Sequence, residues 1–322
     1  MNKLSEHIVL AAHRGDQAHA PENTMHAFER AIRLGVDMIE TDIHMSSDGV
    51  MFIMHDDLVD RTTNGHGLAH QMTWKELQAL DAGSWYGPQF AGTTIPSLEE
   101  FMAFVQATPG LWVNWELKDY PEVCGQDFAL RSADGLLRAI ADYDLTDRSM
   151  LNSFSSEVLE YVAAESCGEM PIHGQGVVPT SRMHGKATRA PQDYWDWACL
   201  YTDDHTIPSE PHYAACKALG IQPCVCIKDT LENYEKSVRL GCRMFTSNDP
   251  ETAARLLREL GVQGDLCLLA DKIGLDYKGE GLEISVSDGI SGYLTCNLGI
   301  IRAGEGGVYA TLDILSLIHI SE

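Results

Sequence analysis

Between residues 8 and 261, short runs of β-branched and apolar residues alternate with stretches of helical periodicity. A chain patterned that way folds as parallel strands joined by crossover helices. The strand runs are Ile8–Ala12, Val36–His44, Val50–Met54, Leu111–Glu116, Ser149–Ser153, Pro171–Val178, Ala198–Thr202, Ile221–Ile227 and Arg243–Thr246. The third follows the second after only Ser46-Ser47-Asp48-Gly49, and so short a turn ending in Asp-Gly reverses the chain into an antiparallel hairpin. Without that excursion eight strands remain, each followed by a helical pattern. Eight βα units over some 250 residues is the arithmetic of a TIM barrel. An open doubly wound sheet competes, but no glycine-rich phosphate fingerprint follows the first strand.

Helix boundaries are marked locally. Asn23 or Thr24 caps a helix whose Ala27, Phe28, Ala31 and Ile32 share one face, and Gly35 closes it. Ser97-Leu98-Glu99-Glu100 reads as a capping box, Phe154–Gly168 as a helix with a glycine stop, and Asp249-Pro250 as a cap with proline at the first helical position. Two segments break the repeat. Residues 56–96 form a loop-rich insertion of the length usually kept for a functional lid. From Val262 onward, glycine-punctuated alternation as in Leu282–Ser287 and Val308–Leu312 predicts a small β appendage. We therefore expect a barrel domain over 1–261 and a β-rich extension over 262–322. The closing Leu315–Glu322 resembles translated adapter DNA, so the extension is expected to be truncated.

Charge narrows the partners. Lys plus Arg number 23 against 47 Asp plus Glu, a formal net charge of −24, which repels nucleic acid and anionic lipid. No apolar stretch is long enough for a membrane span, and Met1–His7 contains no secretory apolar region. Nine scattered cysteines without a CxxC pair read as reduced thiols. Together these predict a cytoplasmic protein with a small-molecule substrate; the sequence leaves its oligomeric state open.

The chemistry concentrates at strand ends. Glu40 and Asp42 lie two apart on the second strand, so both carboxylates point to one side, and Glu116 ends the fourth strand two residues before Lys118. Carboxylates converging at a barrel mouth raise one another's pKa unless a hard cation sits among them. His13-Arg14 closes the first strand. If Ser46 pairs with Gly49 in the hairpin, His55 stands opposite Glu40 and returns to the same place. His44 shares the face of Glu40 and Asp42 but is read as lying past the strand end, in the turn. Two imidazoles serve as general acid and base, and a guanidinium clamps phosphate oxygens in a plane. Trp85, Trp112, Trp195 and Trp197 are candidates for the mouth, whereas Trp115 alternates away from Glu116 and is placed outside it. The remaining histidines, His70 and His184 among them, are read as surface or core residues.

These motifs resemble the glycerophosphodiester phosphodiesterase family. The resemblance rests on His13-Arg14-Gly15, Pro21-Glu22-Asn23-Thr24, Ile39-Glu40-Thr41-Asp42 with Asp48-Gly49, His55-Asp56, Arg61-Thr62-Thr63-Asn64-Gly65, Ile95–Glu100 and Glu116-Leu117-Lys118. It continues more weakly at Asn152-Ser153-Phe154 and Thr246-Ser247-Asn248-Asp249-Pro250. It implies a TIM barrel hydrolysing glycerophosphodiesters to sn-glycerol 3-phosphate and an alcohol. It makes His13 and His55 the acid/base pair, Glu40, Asp42 and Glu116 the ligands of Mg²⁺ or Ca²⁺, and Arg14 and Lys118 the phosphate contacts, with the insertion covering the glycerol side. Two departures concern substrate preference: Val225–Lys228 lacks the aromatic common in relatives, and Asn248 stands where they carry Asp. A phospholipase D-type activity on lysophospholipids is the alternative enzyme, and a non-catalytic phosphodiester-binding barrel the alternative of another class.

Overall fold

The computed structural model describes residues 8–177, 181–200 and 210–262, together with the backbone of four short strands between 287 and 315. In chain order the barrel region contains β1 (Val9–His13), α1 (Met25–Arg33), β2 (Met38–Met45), β3 (Met51–Ile53), α2 (Trp74–Gln78), α3 (Leu98–Gln106), β4 (Trp112–Leu117), α4 (Pro121–Cys124) and α5 (Gln126–Asp142). It continues through β5 (Ser149–Asn152), α6 (Ser156–Glu165), β6 (Ile172–Gln175), β7 (Trp197–Leu200), α7 (Glu210–Leu219), β8 (Gln222–Val225), α8 (Leu231–Arg239), β9 (Met244–Ser247) and α9 (Pro250–Glu259). The strand order is β1-β9-β8-β7-β6-β5-β4-β2, and β1 pairs with β2 to close the ring. All eight of these strands are parallel. This is the predicted (β/α)8 barrel.

Alternation along the strands sorts the core into two layers. Val9, Ala11, Met38, Met150, Trp197, Cys199, Cys224 and Met244 fill the barrel interior. Their neighbours, such as Leu10, Ala12, Ile39, Val113, Trp115 and Phe245, point outward against the helices. Trp115 is fully buried there, edge-on to Phe101 and donating from Nε1 to the Ser149 hydroxyl at 2.9 Å, as its alternation predicted. Trp112 and Trp197 belong to the interior and Trp85 is exposed on the insertion, so none of the candidate tryptophans lines the cleft described below.

Several boundaries differ from expectation for local reasons. Thr24, not Asn23, caps α1, and α6 starts at Ser156 behind the Ser155 cap. Ile32 is only partly buried, while Ala27, Phe28 and Ala31 are buried as read. Asp249 caps α9 with Pro250 in the first turn, as predicted. Ser97 accepts from the Glu100 N–H, whereas the reciprocal capping box forms at Thr73 and Glu76. No α-helix follows β6 among the described residues, only a 3-10 turn at Pro191–Asp193. Gly185 and Pro191 interrupt that stretch, and it lacks an apolar stripe.

The hairpin needs a correction. β3 pairs antiparallel with β2, but Ile43 faces Ile53, His44 faces Phe52 and Met45 faces Met51. Ser46 therefore pairs with Val50, and the loop is the three residues Ser47-Asp48-Gly49, with Gly49 at a φ of 89° accepting the left-handed position. The register is one residue away from that expected. His44 lies inside β2, and His55 lies beyond the end of β3 instead of opposite Glu40. β3 takes the edge of β2 that β1 vacates after His13.

The insertion is more than a loop. Phe52, Met54, Val59, Ala69, Leu77, Ala82 and Ile95 form a small core of its own. The Asp81 carboxylate accepts from the N–H groups of Gly83, Ser84 and Gly92 and ties its far end. At Gly83 an added Cβ would meet the Phe90 carbonyl oxygen at 1.9 Å.

In the extension, β10 (Ser287–Asp288) pairs with β11 (Gly292–Tyr293), and β12 (Thr295–Gly304) with β13 (Gly307–Leu315), all antiparallel. The alternation at Leu282, Ile284 and Val286 lies outside the described residues, as does any packing of the extension. No helix among the described residues is long and apolar enough to cross a membrane.

Candidate active site

Strand register assembles the site. In the closed barrel His13 of β1 stands beside Glu40 of β2, and Asp42 beside Glu116 of β4, which stands beside Asn152 of β5. All lie toward the C-terminal ends of their strands, where barrel active sites form. After His13 the chain turns at once. Arg14 has a φ of 57° and Gly15 one of 81°, and a Cβ on Gly15 would come within 2.7 Å of the Ala27 backbone. The Arg14 N–H bonds the Glu40 carbonyl at 2.9 Å and Asn23, at a φ of 56°, returns its N–H to the Arg14 carbonyl at 3.0 Å. Two non-glycine residues held in this region of φ mark a loop whose geometry is imposed by its surroundings. The result is that Asn23 Nδ2 donates to Asp42 Oδ2 at 2.7 Å while its Oδ1 accepts from the Thr41 hydroxyl.

Glu40, Asp42 and Glu116 are buried, and one oxygen from each lies within 4.8 Å of the others. Two of their oxygens, Glu40 Oε1 and Asp42 Oδ1, have no hydrogen-bond partner. Lys118 Nζ is 2.6 Å from Glu116 Oε1 and 3.5 Å from Asp42 Oδ1, and Arg14 Nε is 3.4 Å from Asp42 Oδ2. Burial pushes the Glu40 carboxyl well above the carboxylate range, and the charges of Asp42 and Glu116 push it further. Burial acts on Asp42 in the same sense, but Lys118 and Arg14 outweigh it and hold Asp42 below that range. The Lys118 ammonium, despite desolvation, is raised by Glu116 and Asp42 and stays charged. Three converging carboxylates with unpartnered oxygens, one of them too crowded to ionise readily, fit a hard divalent cation as their missing partner.

The two histidines are held differently. His13 Nδ1 lies 2.6 Å from Asn248 Oδ1, an atom that also accepts from Gln17 Nε2 at 2.8 Å. Since Asn248 Oδ1 accepts, Nδ1 carries the proton and Nε2, 3.8 Å from Glu40, is the free nitrogen. Burial and the neighbouring Arg14 guanidinium lower the His13 imidazole to about 4. His55 instead donates from Nδ1 to Asp56 Oδ1 at 2.6 Å. Asp56 accepts from Arg61 Nε at 2.6 Å, Arg61 clamps Glu22 through two 2.8 Å bonds, and Glu22 accepts from Arg14 at 2.8 Å. The expected glycerol-side residue Arg61 is thus the middle of a chain joining both histidine loops. His44, by contrast, is buried against Asp119 at 2.7 Å.

His13, Arg14, Glu40, His55 and Glu116 line one cleft. Asp42 and Lys118 stand behind its surface. The cleft also takes in Asn114, Asn152, Phe154, His173, Gln175, Arg182, Cys199, Cys226 and Thr246. Of these, Asn152, Phe154 and Thr246 carried a weak motif signal. His173 and Cys199 carried none, because a lone polar residue in an apolar strand reads as core. Asn248 falls in the weakly matching closing motif and there departs from the family's residue; its contact across 235 residues of chain has no local signature.

A closed βα barrel with acid and imidazole groups gathered at its mouth defines a TIM-barrel hydrolase. The glycerophosphoryl diester phosphodiesterase family model matches residues 13–273, and the chain belongs to that family. A glycerophosphodiester phosphodiesterase of Caldanaerobacter subterraneus subsp. tengcongensis is 31% identical over 265 residues, covering 79% of this chain and 99% of that protein. One from Bacillus subtilis is 32% identical over 168 residues, 49% of this chain and 56% of that one. Among solved structures, an Oleispira antarctica phosphodiesterase in complex with the product sn-glycerol-3-phosphate superposes with a TM-score of 0.67 at 23% identity, covering 78% of this chain and 97% of that one. A Silicibacter pomeroyi relative gives 0.68 at 21% identity, covering 80% and 96%. At these identities the structural matches establish the fold.

Proposed function

We propose that the domain over 1–261 hydrolyses glycerophosphodiesters to sn-glycerol 3-phosphate and an alcohol in the cytoplasm, with one Mg²⁺ or Ca²⁺ ion held by Glu40, Asp42 and Glu116. The observation that carries this reading is that His13 and His55 face the same cleft as Glu40 and Glu116. The product seen in the Oleispira antarctica relative supports the substrate class. When bound, the cation supplies Lewis-acid charge to the phosphate.

The protein's own groups do the rest. His13, neutral with Nε2 free, takes the proton of the attacking hydroxyl, either of water or of the glycerol itself; in the second case a cyclic phosphate forms as the alcohol leaves, and a water then opens it to sn-glycerol 3-phosphate. His55 gives a proton to the departing alcohol, and the Asp56 carboxylate keeps its ring oriented. Arg14 and Lys118 bring positive charge toward the phosphate, Arg14 as a planar clamp at the cleft wall. The decisive assay follows sn-glycerol 3-phosphate released from glycerophosphocholine. Release that stops with EDTA and returns with Mg²⁺ or Ca²⁺ is expected. Turnover of lysophosphatidylcholine but not glycerophosphocholine would move the activity to the phospholipase D class. Binding without turnover of either would make the barrel a receptor.

A further inference from the structure

Where the apolar barrel interior meets the polar cleft, three buried side chains from consecutive strands converge: His173 on β6, Cys199 on β7 and Cys224 on β8. Cys199 and Cys224 are register partners, and Gln175, two residues after His173, is the partner of Cys199. His173 Nε2 lies 3.0 Å from Cys224 Sγ, and one ligand atom of each residue falls within 4.8 Å of the others. We propose that these three side chains form a second metal site, for a zinc-class cation, separate in chemistry from the carboxylate trio.

The donors argue for the ion. Carboxylates select hard cations, whereas an imidazole with two thiolates suits Zn²⁺ and its borderline relatives. In a tetrahedral site, Zn–S bonds of about 2.3 Å and Zn–N bonds of about 2.0 Å leave donor atoms within about 4 Å of one another, inside the observed limit. Charge agrees as well. Both thiol protons leave to solvent on binding, and two thiolates with one dication make a neutral unit that a buried position tolerates.

The imidazole is already oriented. His173 Nδ1 lies 2.9 Å from the Asn114 side-chain amide, and Asn114 Oδ1 is buried without a partner. Half a turn of that amide lets Oδ1 accept the Nδ1 proton and leaves Nε2 as the ligating nitrogen, the outer-sphere arrangement that metal-bound histidines use. His173 and Cys199 also line the cleft, so the fourth position of such an ion opens toward it.

The test uses the full chain, stripped of metal and then saturated with Mg²⁺ to occupy the carboxylates. Added Co²⁺ should bind once per chain with a thiolate-to-cobalt charge-transfer band and the strong visible bands of a tetrahedral site. The bands should persist in Asp42→Asn and vanish in Cys224→Ser and in Cys199→Ala. X-ray absorption on the Zn²⁺ form of the unaltered protein, which needs no variant to fold, should give two sulfur neighbours and one imidazole nitrogen. A zinc shell of oxygen and nitrogen only would overturn the proposal. So would charge-transfer bands that survive the Cys199→Ala/Cys224→Ser double substitution.

Discussion

Asn248 Oδ1 accepts a hydrogen bond from His13 Nδ1 at 2.6 Å, joining the end of β1 to the loop after β9 where the barrel closes. The amide fixes the tautomer without adding charge, so His13 stays neutral, as the proposed base must. Replacing Asn248 with Asp puts a carboxylate against Nδ1 and favours the imidazolium. The acid limb of kcat/KM, expected low because His13 sits near 4, should then rise by on the order of one pH unit. An unmoved limb would show that His13 is not the base.

The same lowered value has a sign for stability. His13 binds its proton less well folded than unfolded, so between pH 6.5 and about 4 the unfolded chain takes up more protons. Its contribution to stability is complete above pH 6.5 and is lost as pH falls through that window. Thermal melts of chelator-treated protein should show the unaltered chain losing stability on acidification more steeply than His13→Gln. Parallel pH profiles would contradict the assignment.

Burial beside Asp42 and Glu116 pushes the Glu40 carboxyl well above its ordinary range, so binding of a cation by the proposed trio is expected to release a proton. Calorimetry of Mg²⁺ or Ca²⁺ binding near neutral pH, run in buffers of different ionisation enthalpy, should report roughly one proton released. Asn23→Ala, which removes the 2.7 Å bond orienting Asp42, should weaken cation binding by about 10–100-fold. Unchanged affinity would place the cation elsewhere.

Arg61 links Asp56 to Glu22 and so couples the His55 loop to the Arg14 loop. Arg61→Lys keeps the charge but loses the fork, and a planar bidentate site does not accept it as conservative. We expect kcat to fall about tenfold in both Arg61→Ala and Arg61→Lys, with little change in melting temperature, because the Arg61 side chain is largely exposed and the buried Glu22 keeps its bond to Arg14. Full activity in Arg61→Lys would show that charge alone suffices.

Gly83 faces a backbone oxygen that cannot step aside. Gly83→Ala should destabilise the insertion by roughly 1–3 kcal/mol, seen as faster amide exchange in residues 56–96 while the barrel strands stay protected. Uniform protection would mean the insertion absorbs the methyl group.

The barrel was legible because each strand and most helices announce themselves over a few residues, through apolar runs and caps such as Asp249-Pro250. The carboxylates and histidines were legible because their motifs are short and ordered along the chain. What escaped depends on geometry that no local pattern carries. The hairpin slipped by one residue because Gly49 occupies a left-handed third loop position, so Ser46 meets Val50. Even so, His55 reaches the cleft through the loop after β3. Among the described residues no α-helix follows β6, because proline and glycine punctuate that segment. His173, Cys199 and Cys224 looked like ordinary core residues, since only the register between the neighbouring strands β6, β7 and β8 sets them side by side.

The central claim is that the two imidazoles of this cleft perform the proton transfers of phosphodiester hydrolysis. The most direct measurement is kcat for glycerophosphocholine in His13→Ala and His55→Ala, with saturating cation and circular dichroism confirming the fold. Each variant should lose about 10²–10⁴-fold in kcat. Turnover at the level of the unaltered protein in either variant would contradict the account.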